Sequence, residues 1–250
     1  MASAQPTYVY GVRKSSAGAI SSTGIGGAKL RQIESDGVAA IVSDLPPDTE
    51  LRFGREELTT HARVLERALA AGTVLPMRFG VVLESPEAVQ SNVLEAHRDE
   101  LRQQLEQFEG KVELRLRAIY DEQQLMREVV SEDREIGRLR EVIRGKPDEA
   151  TYFERIRLGE LVAEAVERKR ESDTNQILPQ LEQLAEAIDV GEPTHERMVF
   201  GASFLVDRER IAQFDKAVDE VGRRQADRMR LTYTGPLPPH SFAELKTQPS

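Results

Sequence analysis

The chain has 250 residues, a formal net charge of −9 and 31% charged residues, a length that accommodates one large domain or two modest ones, each burying a core. The acidic balance argues against the basic face that nucleic acid requires, and the absence of cysteine excludes disulfides, thiolate metal sites and cysteine nucleophiles. No window reaches the roughly 18 apolar residues of a membrane helix, and MASAQPTYVYGV lacks the basic start and apolar run of a signal peptide, which points to a cytoplasmic protein.

The first strand is expected at 7–13 (TYVYGVR), rich in aromatic and β-branched residues. Residues 14–27 (KSSAGAISSTGIGG) read as a loop. Their glycines lack both the spacing and the following Lys-Ser/Thr of a phosphate loop, so flexible connection is the better reading. A second strand is expected at 38–45, stopped by Pro46 and Pro47. A helix follows at 55–71, with Leu58, Ala62, Leu65 and Leu69 as its apolar series and Gly72 as its end. TVLPMRFGVVL (73–83) reads as a strand that Pro76 confines to a sheet edge or a bulge. Ser85 and Pro86 then open a helix that runs to Gly110.

Strand periodicity returns at 112–120, where Val112, Leu114 and Leu116 alternate with Glu113, Arg115 and Arg117. A long helical region follows, broken near Gly145-Lys146-Pro147, with a helical arm at about 148–190 that Pro179 should kink or restart. The chain closes with a strand at 197–206, a helix at 208–226 and a strand at 228–234 that stops at Gly235-Pro236. The arginines at 223–230 read as a solvated helix face beside that strand. This order gives an α+β protein of two domains: an N-terminal α+β domain at 1–109 and a C-terminal domain at 110–250 with the helical insertion.

No catalytic, cofactor or metal centre emerges. His61, His97, His195 and His240 have no paired helical spacing, and the first two read as surface or edge residues. The acids alternate with arginines along helix faces, as solvated pairs do. Two stretches stand apart. Arg78 lies among apolar strand residues and calls for an acid on a neighbouring strand or for a partner protein. GPLPPHSF (235–242) is stiffened by its prolines and suited to docking, on its own domain or on another protein.

These stretches carry a resemblance. YVYGV (8–12), a helix whose His61 leads to VLPMRFG (74–80), and the closing GPLPPHSF occur in order and resemble the gas vesicle protein L/F family (GvpL/GvpF) over about 7–245. The resemblance implies a C-terminal domain of ferredoxin-like fold with an added helical arm, whereas the residues themselves give three clear strands there. It implies a non-enzymatic minor gas vesicle protein that binds the hydrophobic shell protein GvpA and other accessory proteins; from composition and motifs, no nucleic-acid partner, membrane partner or cofactor is expected. Candidate partner-binding residues are Pro76, Arg78, Phe79 and Gly80, with Pro236, Leu237, Pro238, Pro239, His240 and Phe242. A second reading is a small-molecule-binding or catalytic ferredoxin-like protein, monooxygenase-like or regulatory, which requires a closed apolar pocket with converging polar groups.

Overall fold

A computed structural model describes residues 5–46 and 54–243 of the chain. Pro47, expected to help stop the second strand, and the last residues of the resemblance, 244–245, lie outside the described residues. The contacts divide the chain into two compact units. One holds the described residues up to Glu113 together with those from Gly235 onward; the other is Leu114–Thr234.

The first unit is built on β1 (Thr7–Lys14), buried over all but its last residue. A hairpin follows, β2 (Leu30–Ser35) and β3 (Val38–Asp44). Its turn, Asp36-Gly37, has φ of 46° and 85°, the left-handed pair of a tight hairpin, which glycine adopts without strain. The strand β2 falls in a stretch with no expected element: the Asp36-Gly37 pair marks its turn, but LRQIES carries only Leu30 and Ile33 as apolar residues. After α1 (Arg55–Ala70), the single strand expected at 73–83 is two short ones, β4 (Val74–Pro76) and β5 (Val82–Leu83). Both pair antiparallel with β1, and β4 ends the order β2-β3-β1-β4, so Pro76 sits at a sheet edge where its missing N–H costs no ladder bond. Residues 77–81 arch away between them, pinned by Met77 N–H to the Tyr10 carbonyl and by Val9 N–H to the Val81 carbonyl.

Helix α1 buries His61, Val64, Leu65, Ala68 and Leu69, whereas Leu58 is exposed. The buried face is therefore rotated from the expected one, toward the sheet that needs a histidine. The helical stretch after Ser85 is composite: α2 (Pro86–Val89), a π-helical segment (Gln90–Glu95) and α3 (Arg98–Gln107). Ser85 Oγ accepts from Ala88 N–H, the cap its position implied.

The chain passes between the units within β6 (Lys111–Tyr120). In the second unit α4 (Glu122–Glu132) and α5 (Arg134–Ile143) are capped at their N-termini by Asp121 and Asp133. The long α6 (Tyr152–Glu182) runs through Pro179, which lies in its last turn and so interrupts little of the ladder. The arm does not extend to 190: Ala187–Gly191 is a fourth strand, β7. Its largely exposed residues give no apolar alternation, which hid it in the sequence. β8 (Met198–Asp207), α7 (Ile211–Gln225) and β9 (Met229–Leu237) complete the unit, in the sheet order β7-β8-β6-β9. The strand β9 continues through Gly235 and Pro236 to Leu237, beyond the expected stop.

One charged network joins the helices of this unit to its sheet. Arg228 Nε and Nη2 donate to Glu128 of α4, and Nη1 and Nη2 to Asp173 of α6, all between 2.9 and 3.0 Å. The Tyr120 hydroxyl of β6 donates to Asp173 at 2.6 Å, and Lys169 of α6 donates to Glu128 at 2.8 Å and to Glu132. These cations hold the Glu128 carboxyl at about 2, against the desolvation that alone would raise it. Burial, reinforced by Asp173, pushes the Tyr120 phenol far up, so it remains a donor.

Candidate functional site

The two segments singled out in the sequence approach one polar-aromatic cluster in the first unit. Strand β1 supplies Tyr8 and Tyr10, two residues apart, with Tyr10 the extra residue at a register shift between Val9 and Gly11 and the ring centroids 4.7 Å apart. Helix α1 inserts His61, stacked on Tyr10 at 5.6 Å and edge-on to Tyr8 at 5.7 Å. Phe79 of the arch meets His61 edge-on at 5.7 Å.

A chain of hydrogen bonds fixes the protonation of this cluster. The Met77 carbonyl can only accept, so His61 Nε2 is the donor across their 3.2 Å contact. Nδ1 of the neutral ring then accepts from the Tyr8 hydroxyl at 2.9 Å. That hydroxyl in turn accepts from Gly80 N–H at 3.0 Å. Both ends of the arch are thus tied to one histidine, and Gly80 reaches the bond with φ of 94°, a conformation that glycine adopts freely. Burial, opposed by the Met77 hydrogen bond and aided by repulsion from His240 of the closing segment, lowers the His61 pKa to about 4. Burial raises Tyr8 to about 12, with the Gly80 bond opposing. Neither group changes charge near neutral pH, so the cluster positions the backbone and offers no acid–base pair.

Tyr10 extends the network. Its hydroxyl accepts from Ile25 N–H at 2.7 Å and shares a 2.9 Å hydrogen bond with Ser43 Oγ. A Cβ on Gly24 would stand 2.5 Å from that oxygen. The glycine-rich loop therefore brings backbone close to a buried phenol, a packing role that its composition alone did not reveal.

The closing segment docks in the same unit. Pro238 and Pro239 are buried, and Ser241 donates through N–H and Oγ to the two carboxylate oxygens of buried Glu113, at 2.7 and 3.1 Å. Turn bonds from His240, Phe242 and Ala243 back to Pro238 and Pro239 close it. Glu113 was expected on the polar side of its strand; the serine explains why a carboxylate is buried there.

The candidate residues divide by exposure. Pro76, Pro238 and Pro239 are buried; Phe79, Gly80, Leu237 and Phe242 are half-buried; Arg78, Pro236 and His240 are exposed. Arg78 is a correction: it lies on the arch outside any strand, with no ion-pair partner among the described residues. The buried arginine is Arg13 instead, fully enclosed in β1, and none of its three guanidinium nitrogens has a hydrogen-bond partner among the described residues. His61 is a second correction: it is 4% exposed and central, not a surface residue. Tyr8, Tyr10 and the burial of His61 went unread in the sequence, where two phenols at alternate positions of one strand are the available signal, since buried phenols require polar partners.

Comparison with known proteins gives a consistent assignment. A family model described as gas vesicle synthesis protein GvpL/GvpF matches residues 6–244. Gas vesicle protein F of Streptomyces sp. (strain CB03234) is 37% identical over 95% of this chain and 99% of its own length. Gas vesicle protein L1 of Halobacterium salinarum (strain ATCC 700922 / JCM 11081 / NRC-1) is 27% identical over 90% of this chain and 84% of its own. The crystal structure of GvpF from Anabaena sp. PCC7120 superposes with a TM-score of 0.83 at 25% identity, over 97% of this chain and 99% of that one. With the match running nearly end to end, this chain takes part in gas vesicle formation and belongs to the GvpL/GvpF family of gas vesicle synthesis proteins.

Proposed function

We propose that this chain is a non-catalytic assembly factor or minor component of gas vesicles that binds the hydrophobic shell protein GvpA, and other accessory proteins, in the cytoplasm. One observation carries the reading. The arch and the closing segment, on which the family resemblance rests, gather at a cluster whose hydroxyls and imidazole are engaged with one another and with backbone. Such a cluster presents a fixed surface and performs no chemistry. The exposed Arg78, Pro236 and His240 are the parts of it available to a partner.

The role suits the chain's charge. An unassembled shell subunit exposes apolar, strand-forming surface, which is an aggregation hazard. A partner of net charge −9 that covers this surface repels its own copies and keeps the pair dispersed. The short strands β4 and β5 at the sheet edge, and the rigid segment from Pro236, offer backbone and side chains to an extended segment. For the second unit, the order β6, helices, β7, β8, α7, β9 with strands arranged β7-β8-β6-β9 supports a ferredoxin-like reading, with α4 to α6 as the enlarged first crossover. We take the two units as two domains on the same grounds.

The test pairs capture with complementation. Immobilised GvpA should retain the wild type, and Arg78→Glu/His240→Glu, which alters exposed positions only, should be retained roughly tenfold less. The same variant should fail to restore vesicles to a strain lacking the gene. Normal vesicles in the deletion strain, or equal retention of both proteins, would overturn the proposal.

A further inference from the structure

Helix α6 carries an apolar stripe that its own unit leaves uncovered. Tyr152, Ile156, Gly159, Ala163 and Val166 follow one another at steps of four and three, which keeps them on one face for roughly 21 Å. Tyr152 and Ile156 are exposed, and neighbouring Phe153 is 80% exposed. Where the stripe reaches Gly159 it becomes one wall of a groove of about 890 Å³, faced by Leu125 and Met126 of α4 and closed by the 193–197 loop. Nothing lies within 4 Å of where a Cβ on Gly159 would stand, so the groove is open at that residue.

The edge of the stripe is charged in a regular way. Glu160, Glu164, Glu167 and Glu171 repeat at the same four-three-four steps and run alongside it. Glu160 and Glu164 meet the exposed Arg157 and Arg168 one turn away on α6, contacts that exchange readily; Glu167 meets the largely enclosed Arg170, and Glu171 has no partner among the described residues. The cations at the groove are already engaged: Arg197 of the facing loop by Glu122, and Arg170 of α6 by the carbonyls of Met198 and Glu196.

We propose that this face of α6 docks one amphipathic helix of a partner protein, with its apolar side in the groove and Lys or Arg along the edge that meets the glutamate row. The spacing selects a helix, because repeats of three and four interdigitate with the same repeats on another helix. Gly159 and Ala163 let the two backbones approach closely. The acidic row selects the sign of the flank. This inference stands apart from the shell-protein reading, since it concerns other residues in the other unit.

The probe is a fluorescein-labelled peptide of about 18 residues, long enough to form a helix, with Leu at three-four spacing and Lys at the edges. Its controls are a scrambled peptide of the same composition and one with Glu in place of Lys. The full chain should bind the Leu/Lys helix roughly tenfold more tightly than either control by fluorescence anisotropy. Gly159→Leu fills the groove while favouring the helix, so it should keep the circular dichroism spectrum and thermal midpoint yet lose that advantage. Glu160→Lys/Glu171→Lys should shift preference to the Glu peptide. Equal binding of the scrambled peptide, or unchanged binding by Gly159→Leu, overturns the proposal. So does a wild-type dimer in sedimentation that Gly159→Leu dissolves, because the occupant is then a second copy.

Discussion

A histidine with one ring nitrogen donating to a carbonyl and the other accepting from a phenol has a single protonation state that fits, and His61 is held in it. The native pKa near 4 lies below the ordinary value of 6.5, so the unfolded chain takes up a proton that the folded chain refuses. Stability from this residue is complete above pH 6.5 and drains away as the pH falls toward 4, up to roughly 3 kcal/mol. Denaturant midpoints measured from pH 7 to 4 should therefore fall more steeply for the wild type than for His61→Gln. Parallel curves would mean that the proton is accommodated in the fold. Arg13 carries the opposite expectation. Its enclosed guanidinium lacks hydrogen-bond partners among the described residues, so Arg13→Met should raise stability by about 1–3 kcal/mol in the same assay. A loss would reveal a partner for the charge. Neither residue was legible. The motif pointed at Arg78 because arginine beside proline and phenylalanine reads as enclosed, yet the arch lifts it into solvent, while Arg13 looked like an ordinary strand end.

At the scale of elements, strongly periodic segments were legible and weakly periodic ones were not. Strand β6, helix α1 and helix α7 sit within a residue or three of their expected bounds because one face of each is buried. The edge strands β2 and β7 contribute few apolar side chains and are fixed by pairing to β3 and β8, a tertiary cause that local pattern does not encode. The arm is likewise held by charge as well as by packing. Arg228 bridges two carboxylates on two helices, with side-chain exposures of 16% for Glu128 and 8% for Asp173. Arg228→Ala should cost about 3–5 kcal/mol, because it leaves enclosed acids without their cation. Arg228→Lys should recover less than half of that, since a point charge cannot reproduce a planar fork donating four bonds to the two carboxylates. Full rescue by lysine in urea denaturation would show that net charge, and not the fork, holds the arm.

For the molecule as a whole, composition and periodicity gave an α+β chain of net charge −9 without naming its work; the family came from three short segments whose residues are now seen to share a buried reason. Tyr8, His61, Met77 and Gly80 form one hydrogen-bonded circuit, and Ser241 secures the closing segment to Glu113. The segments that name the family are thus largely scaffold, and their exposed members are few. Two surfaces remain for partners, and they should respond differently to salt. Raising ionic strength from roughly 0.05 to 0.5 M shortens the Debye length from about 14 to about 4 Å. A Lys-edged helix on α6 meets a row of glutamates, so its affinity should fall roughly tenfold across that range. The proposed capture of GvpA at the arch and closing segment would meet Arg78 amid Phe79, Pro236, Leu237 and Phe242, with no facing row of like charges, so it should fall less than roughly threefold over the same titration. If both interactions weaken together, the chain's overall negative field, and not two distinct surfaces, governs its association, and neither assignment survives in its present form.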